Sequence, residues 1–145
     1  MARCAVAGRS TVAGTSVRAM ASVFATAAVR PRIVEIGVFN TTAVALAVAV
    51  CRFTNSTGVG AGLTEVCLDD PTKTVIATGF AGHTADGAVG ASVRQASLGA
   101  AIGSGVIWTF GDVGFLCDDG TANGIGIITP TGTGQICDYY IEWIE

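Results

Sequence analysis

Between Arg32 and Phe53 the chain reads RIVEIGVFNTTAVALAVAVCRF, and no other stretch constrains the fold as tightly. Val44, Leu46, Val48 and Val50 recur at every second position, with Ala45, Ala47 and Ala49 between them. That spacing is the period of a strand, whose side chains alternate between two faces. A helix burying the same residues would need spacings of three and four, and branched side chains separated by small ones suit a pleated surface better. The first arm carries Ile33, Val34, Ile36, Val38 and Phe39, and the polar run Asn40–Thr42 then interrupts it. The stretch therefore reads as two long strands forming a hairpin. Its alanines leave the second face flat enough to lie against another sheet or another subunit.

The same punctuation continues along the chain. Residues 17–29 alternate as a strand would, although their alanines leave a helix open until Pro31. Short strands are predicted over 63–68, 74–78, 92–98, 106–110 and 114–117, with turns at Asp69-Asp70-Pro71, at Gly111-Asp112 and over 118–123. TNSTGVGAG (54–62) reads as a glycine-rich loop and residues 79–90 as an exposed one. Residues 124–129 and 135–144 read as a second hairpin, with Cys137, Tyr139, Ile141 and Trp143 on one face and Asp138 and Glu142 on the other. Many short strands separated by turns predict an all-β chain, an antiparallel β-sandwich or jelly roll.

A length of 145 residues suits one core. Only 13% of the residues are charged, against roughly 25% in soluble domains, so the chain is expected to hide part of its surface against partners. The five cysteines include no C-x-x-C pair. They predict no metal site and read as small apolar core residues of a protein made in a reducing cytosol. The sequons at Asn40 and Asn55 are then chance matches. The longest apolar run, Ala43–Cys51, falls short of the roughly 20 residues of a membrane span.

Charge is placed unevenly. No acid precedes Glu35, while Arg3, Arg9, Arg18, Arg30 and Arg32 do. This divides the chain into an extended basic N-terminal arm (1–31), with room for one strand, and a β-sandwich body (32–145). A cleaved targeting peptide would show a cleavage pattern that is missing here. A nucleic-acid tail would need denser cations interleaved with aromatic residues. Of the three readings, the favoured one is an arm that docks on an acidic protein surface through Arg3, Arg9, Arg18 and Arg30. Val44, Leu46, Val48, Tyr139, Ile141 and Trp143 are the expected subunit interface.

Catalytic chemistry finds no foothold. His83, the only histidine, reads as a solvated loop residue near Thr84 and Asp86, without the positioned partner a general base needs. Asp69 with Asp70, and Asp118 with Asp119, lack calcium-loop spacing and read as turn residues. GVGAG (58–62) and TGTG (131–134) lack the lysine and the following helix of a phosphate loop. Trp108, Phe110, Tyr139, Tyr140 and Trp143 would have to be exposed together to form a sugar platform, and such residues are more often core or interface anchors. The expectation is a protein without enzymatic activity or cofactor.

Over EIGVFNTT (35–42), LGAAIGSGVIWTFGD (98–112) and TANGIGIITPTGTGQICDYYIEWIE (121–145), and in the opening MARCAVAG, the chain resembles small virion structural proteins of tailed bacteriophages. The resemblance implies a capsid decoration, or cement, protein that binds the outer shell as an oligomer, commonly a trimer. The implied partner is the major capsid protein, and the implied location is the virion surface after assembly in the host cytoplasm. A head-to-tail or tail component is the alternative within that group, and a carbohydrate-binding sandwich module the alternative outside it.

Overall fold

The structure, a computed structural model, describes residues 1–54 and 60–145. The sequon at Asn55 and part of the glycine-rich loop lie outside the described residues. The strands in chain order are β1 (Arg3–Arg9), β2 (Ala21–Phe24), β3 (Arg32–Asn40), β4 (Leu46–Phe53), β5 (Ala61–Gly62), β6 (Val66–Cys67), β7 (Thr78–Ala81), β8 (Val89–Leu98), β9 (Gly105–Thr109), β10 (Phe115–Leu116), β11 (Gly124–Ile128) and β12 (Cys137–Ile144). They build two antiparallel sheets in contact. The first runs β10-β3-β12-β1-β6, with β9 also paired to β3, and the second runs β5-β7-β2-β11-β4-β8. This is β-sandwich packing.

The core lies where the inward faces meet. Val6, Ile36, Val38, Tyr139, Ile141 and Trp143 from the first sheet pack against Val23, Val48, Val50, Ile125 and Ile127 from the second. The alternation in β12, buried at Cys137, Tyr139, Ile141 and Trp143 and half-buried between them, is the pleat expected from the sequence.

Neither expected hairpin forms. β3 belongs to the first sheet and β4 to the second, and β11 and β12 are divided in the same way. Each pair turns its large apolar residues toward one core from opposite sides, a pattern that alternation alone does not distinguish from two strands side by side. Asn40 fixes the first crossing. Its Nδ2 donates to the carbonyls of Val44 (2.7 Å) and Gly99 (3.1 Å), while its Oδ1 accepts from the Thr42 amide (3.0 Å). The amide that the sequon would offer to a glycan is thus buried and engaged.

Residues 1–31 are not an extended arm. β1 lies between β12 and β6, paired with β12 from Arg3↔Ile144 to Arg9↔Asp138. β2 lies between β7 and β11, and all four of its residues are buried. The first strand of the chain closes on the last, which local sequence cannot signal. Smaller differences follow from tertiary contacts: residues 74–77 form no strand, β6 keeps only Val66–Cys67 of the segment expected over 63–68, and the region expected as an exposed loop over 79–90 begins inside β7.

In β11 the GIGI pattern has a steric cause. Ile125 and Ile127 enter the core, while a Cβ at Gly124 or Gly126 would stand 2.8 Å from the rings of Phe24 and Phe53. The glycines let those rings lie flat across the outside of the strand.

Candidate interaction face

The two outer faces of the sandwich are treated differently. That of the second sheet carries a separate apolar cluster of Ala19, Phe24, Ala49, Cys51, Phe53 and Ile128, flanked by Phe80 and Val89. The chain covers it with its own loops. His83 donates its amide to the Ala19 carbonyl (3.0 Å), and Gly87 donates to Val17 (2.8 Å). Arg18 and Asp86 form an ion pair across the same closure (2.6 Å).

His83 sits under that closure, only 3% exposed. Its ring lies 5.3 Å from Phe53 and 6.1 Å from Phe24, and Nε2 is 2.7 Å from Ser22 Oγ. Burial pushes the imidazole down to about 4. The expectation of a solvated loop histidine is therefore corrected: the aromatic side chains of β2 and β4 draw the loop over themselves. A serine–histidine hydrogen bond is a pairing used by nucleophilic enzymes, but Ser22 is fully buried here and the pair serves the packing.

Among the described residues, nothing comparable covers the outer face of the first sheet. Strand register lays its residues out in rows. Ala7, Tyr140, Gly37 and Ile107 form one row, Arg9, Asp138, Phe39 and Gly105 a second, and Ala5, Glu142, Glu35 and Thr109 a third that Val66 extends at the β6 edge. Ile107 is 54% exposed, and Val66 and Leu68 are each 49% exposed. Tyr140 lies against Gly37, where a Cβ would come within 2.1 Å of its ring, and its hydroxyl donates to Glu35 (2.7 Å). Burial, followed by that bond, raises the phenol above its ordinary range. Phe39 stacks on Tyr140 at 6.5 Å.

Two ion pairs offset charge on this face, while Glu35 is held by the Tyr140 hydroxyl. Arg3 Nε donates to Glu142 (2.8 Å), and Arg9 donates to both Asp138 oxygens (2.7 and 2.9 Å). The Arg9 hydrogen bond holds the Asp138 carboxyl below its usual range. What remains is a sheet surface of exposed aliphatic, half-buried aromatic and small residues. Two clefts, of about 370 and 250 Å³, flank Arg3 and Ile144 at its lower margin.

The residues expected to dock on a partner are engaged within the chain. Arg3 and Arg9 pair with β12 and Arg18 with Asp86, and Arg30 donates to the Cys117 carbonyl (3.1 Å). Of the expected interface residues only Val44 is on the surface, whereas Leu46, Val48, Tyr139, Ile141 and Trp143 are core. The interface assignment is corrected because an apolar face long enough to dock a subunit is also long enough to pack the opposite sheet, and the docking assignment because the arginines meet acids and a carbonyl of their own chain.

The aromatic side chains form no common platform, since Trp108, Tyr139 and Trp143 are buried and Phe110 stacks on Phe115 at 5.6 Å. Asp69 accepts from the Arg3 amide, Asp70 from Thr72, Asp118 from Arg52 and Asp119 from Gly120, as turn and pairing residues do. All five cysteines are buried thiols. Among the described residues no group of three or more metal-ligating side chains is assembled, and no helix is long and apolar enough to cross a membrane. The face that sequence reasoning missed had one signal: VIWTF is apolar at consecutive positions, so one side of β9 had to face outward.

Comparisons of the chain with protein-family models, with curated proteins and with solved structures return no match.

Proposed function

We propose that this chain is a capsid decoration (cement) protein of a tailed bacteriophage, with a jelly-roll body that associates with copies of itself as a trimer and seats on the major capsid protein. The strand order supports the finer fold reading. With the segment between β4 and β8 and the two-residue β10 set aside, eight principal strands remain. The first, eighth, third and sixth adjoin in one sheet (β1-β12-β3-β9), and the second, seventh, fourth and fifth in the other (β2-β11-β4-β8). That is the order produced by winding two Greek keys into a roll.

The observation that carries the functional reading is the asymmetry of the outer faces. Among the described residues one is covered by the chain's own loops, while the other is left open and carries two internal ion pairs. Isologous or cyclic association removes such a surface from water without any further segment. The virion assignment rests on the resemblance of the sequence to phage structural proteins.

Native mass measurement on the purified chain and on Ile107→Arg tests the association. The expected result is a trimer that the substitution dissociates into folded monomers. A wild-type monomer at every concentration, or an oligomer indifferent to the substitution, would overturn it. Copy number in purified particles tests the rest, with many copies on the outer shell expected. A few copies would favour a head-to-tail or tail component, and their absence would end the virion reading.

A further inference from the structure

Cys4 of β1 and Cys67 of β6 stand directly opposite each other in antiparallel register, with Sγ atoms 3.2 Å apart. Their backbone setting is defined by the neighbouring bonds. The Leu68 amide donates to the Arg3 carbonyl, so Arg3 and Leu68 are a hydrogen-bonded pair and the next pair, Cys4 and Cys67, is not. Non-hydrogen-bonded pairs bring Cα atoms to about 4.5 Å, inside the range of about 4.4–6.8 Å that a disulfide spans. Both side chains point inward, with Cys4 fully buried and Cys67 9% exposed. Cys51, Cys117 and Cys137 show no such thiol partner among the described residues.

We infer that Cys4 and Cys67 form a redox latch, a cross-strand disulfide that closes in oxidising surroundings and fastens the edge strand β6 to the strand that opens the chain. The inference is independent of the proposed function. The reactant is a low-molecular-weight disulfide. β6 has two residues and lies at the edge of its sheet, so it opens at lower cost than the interior strands. When it does, the Cys67 thiol loses its proton to solvent, and the thiolate attacks the small disulfide, giving a mixed disulfide and one small thiolate. As β6 pairs again, the Cys4 thiol loses its proton in turn. Its thiolate attacks the Cys67 sulfur, forming the Cys4–Cys67 bond and expelling the second small thiolate. The protein has lost two hydrogen atoms, and the reactant has been reduced to two thiols. Burial, with the hydrogen bond to Cys67, raises the Cys4 thiol to about 12, so the closed fold resists the reaction and strand opening sets its rate.

The intact chain is incubated with oxidised glutathione without denaturant, then unfolded and capped with N-ethylmaleimide in one step and peptide-mapped by mass spectrometry. The expected product has one internal bond joining Cys4 to Cys67 and three capped thiols. Its melting temperature is expected to rise by about 5–10 °C, because the bond closes a long loop, and to return on reduction with dithiothreitol. Cys67→Ala, at the tolerant edge position, is expected to acquire no internal bond. A stable glutathione adduct on Cys67 without ring closure, four or five capped thiols in a folded protein, or a bond between other cysteines would overturn the assignment.

Discussion

Lowering the pH from 7 toward 4 is expected to destabilise this protein through His83. The imidazole is 3% exposed, lies against Phe24 and Phe53, and has Ser22 as its polar partner. The charged groups across the closing loop, Arg18 and Asp86, are bridged to each other. In the fold it binds its proton at about 4 rather than at the ordinary 6.5. The unfolded chain therefore takes up the proton first as the pH falls, so stability is complete above 6.5 and is lost as the pH approaches 4. At about 1.4 kcal/mol for each pH unit, the loss is on the order of 3 kcal/mol, a large part of a typical net stability of about 5–15 kcal/mol. The hydrogen-bonded carboxylates Asp70 and Asp138 are held below 3.8 and contribute above that value, so their loss falls at lower pH. Urea denaturation at pH 7, 6, 5 and 4.5 measures the slope, and His83→Gln should flatten it even if its own stability is lower. An NMR titration of the single imidazole supplies the second readout. A midpoint near 6.5 in the folded chain, or equal wild-type stability at pH 7 and 4.5, would refute the burial argument.

Trp143→Ala removes a fully buried side chain and should cost about 3–5 kcal/mol in chemical denaturation of the monomer; dissociation of an oligomer with unchanged monomer stability would return Trp143 to an interface. Deleting residues 1–9 removes β1, which separates β12 from β6, and circular dichroism should show loss of cooperative unfolding. A folded, soluble body after that deletion would restore the arm.

The strands were legible because alternation is a local property. β3, β4, β8, β9 and β12 all begin or end within a few residues of their apolar patterns. Which strands share a sheet was not legible, because Val48 and Ile141 meet across the core and leave the same trace as two residues side by side. His83 was misplaced for a related reason. Its neighbours Gly82, Thr84 and Asp86 read as loop, while the rings that bury it come from residues 24 and 53. The burial of all five cysteines follows from their apolar character without knowledge of topology, whereas the meeting of Cys4 and Cys67 does not.

The uneven charge along the chain carries the most instructive correction. A basic leader before an acidic body reads as a segment seeking an acidic partner, and for Arg3 and Arg9 the partner is the chain's own last strand. β1 against β12 sets Arg3 beside Glu142 and Arg9 beside Asp138 across neighbouring strands. These pairs are partly exposed, so each contributes little to stability, about 0–1 kcal/mol. Their larger effect is on the surface that remains. Had the same arginines been free, mutual repulsion between copies would oppose any stacking of these sheets. Paired within one subunit, they leave Ile107, Phe39, Tyr140 and Val66 to dominate the face. The sequence asymmetry that reads as an arm is thus settled within the subunit, where β12 supplies the acids that Arg3 and Arg9 meet.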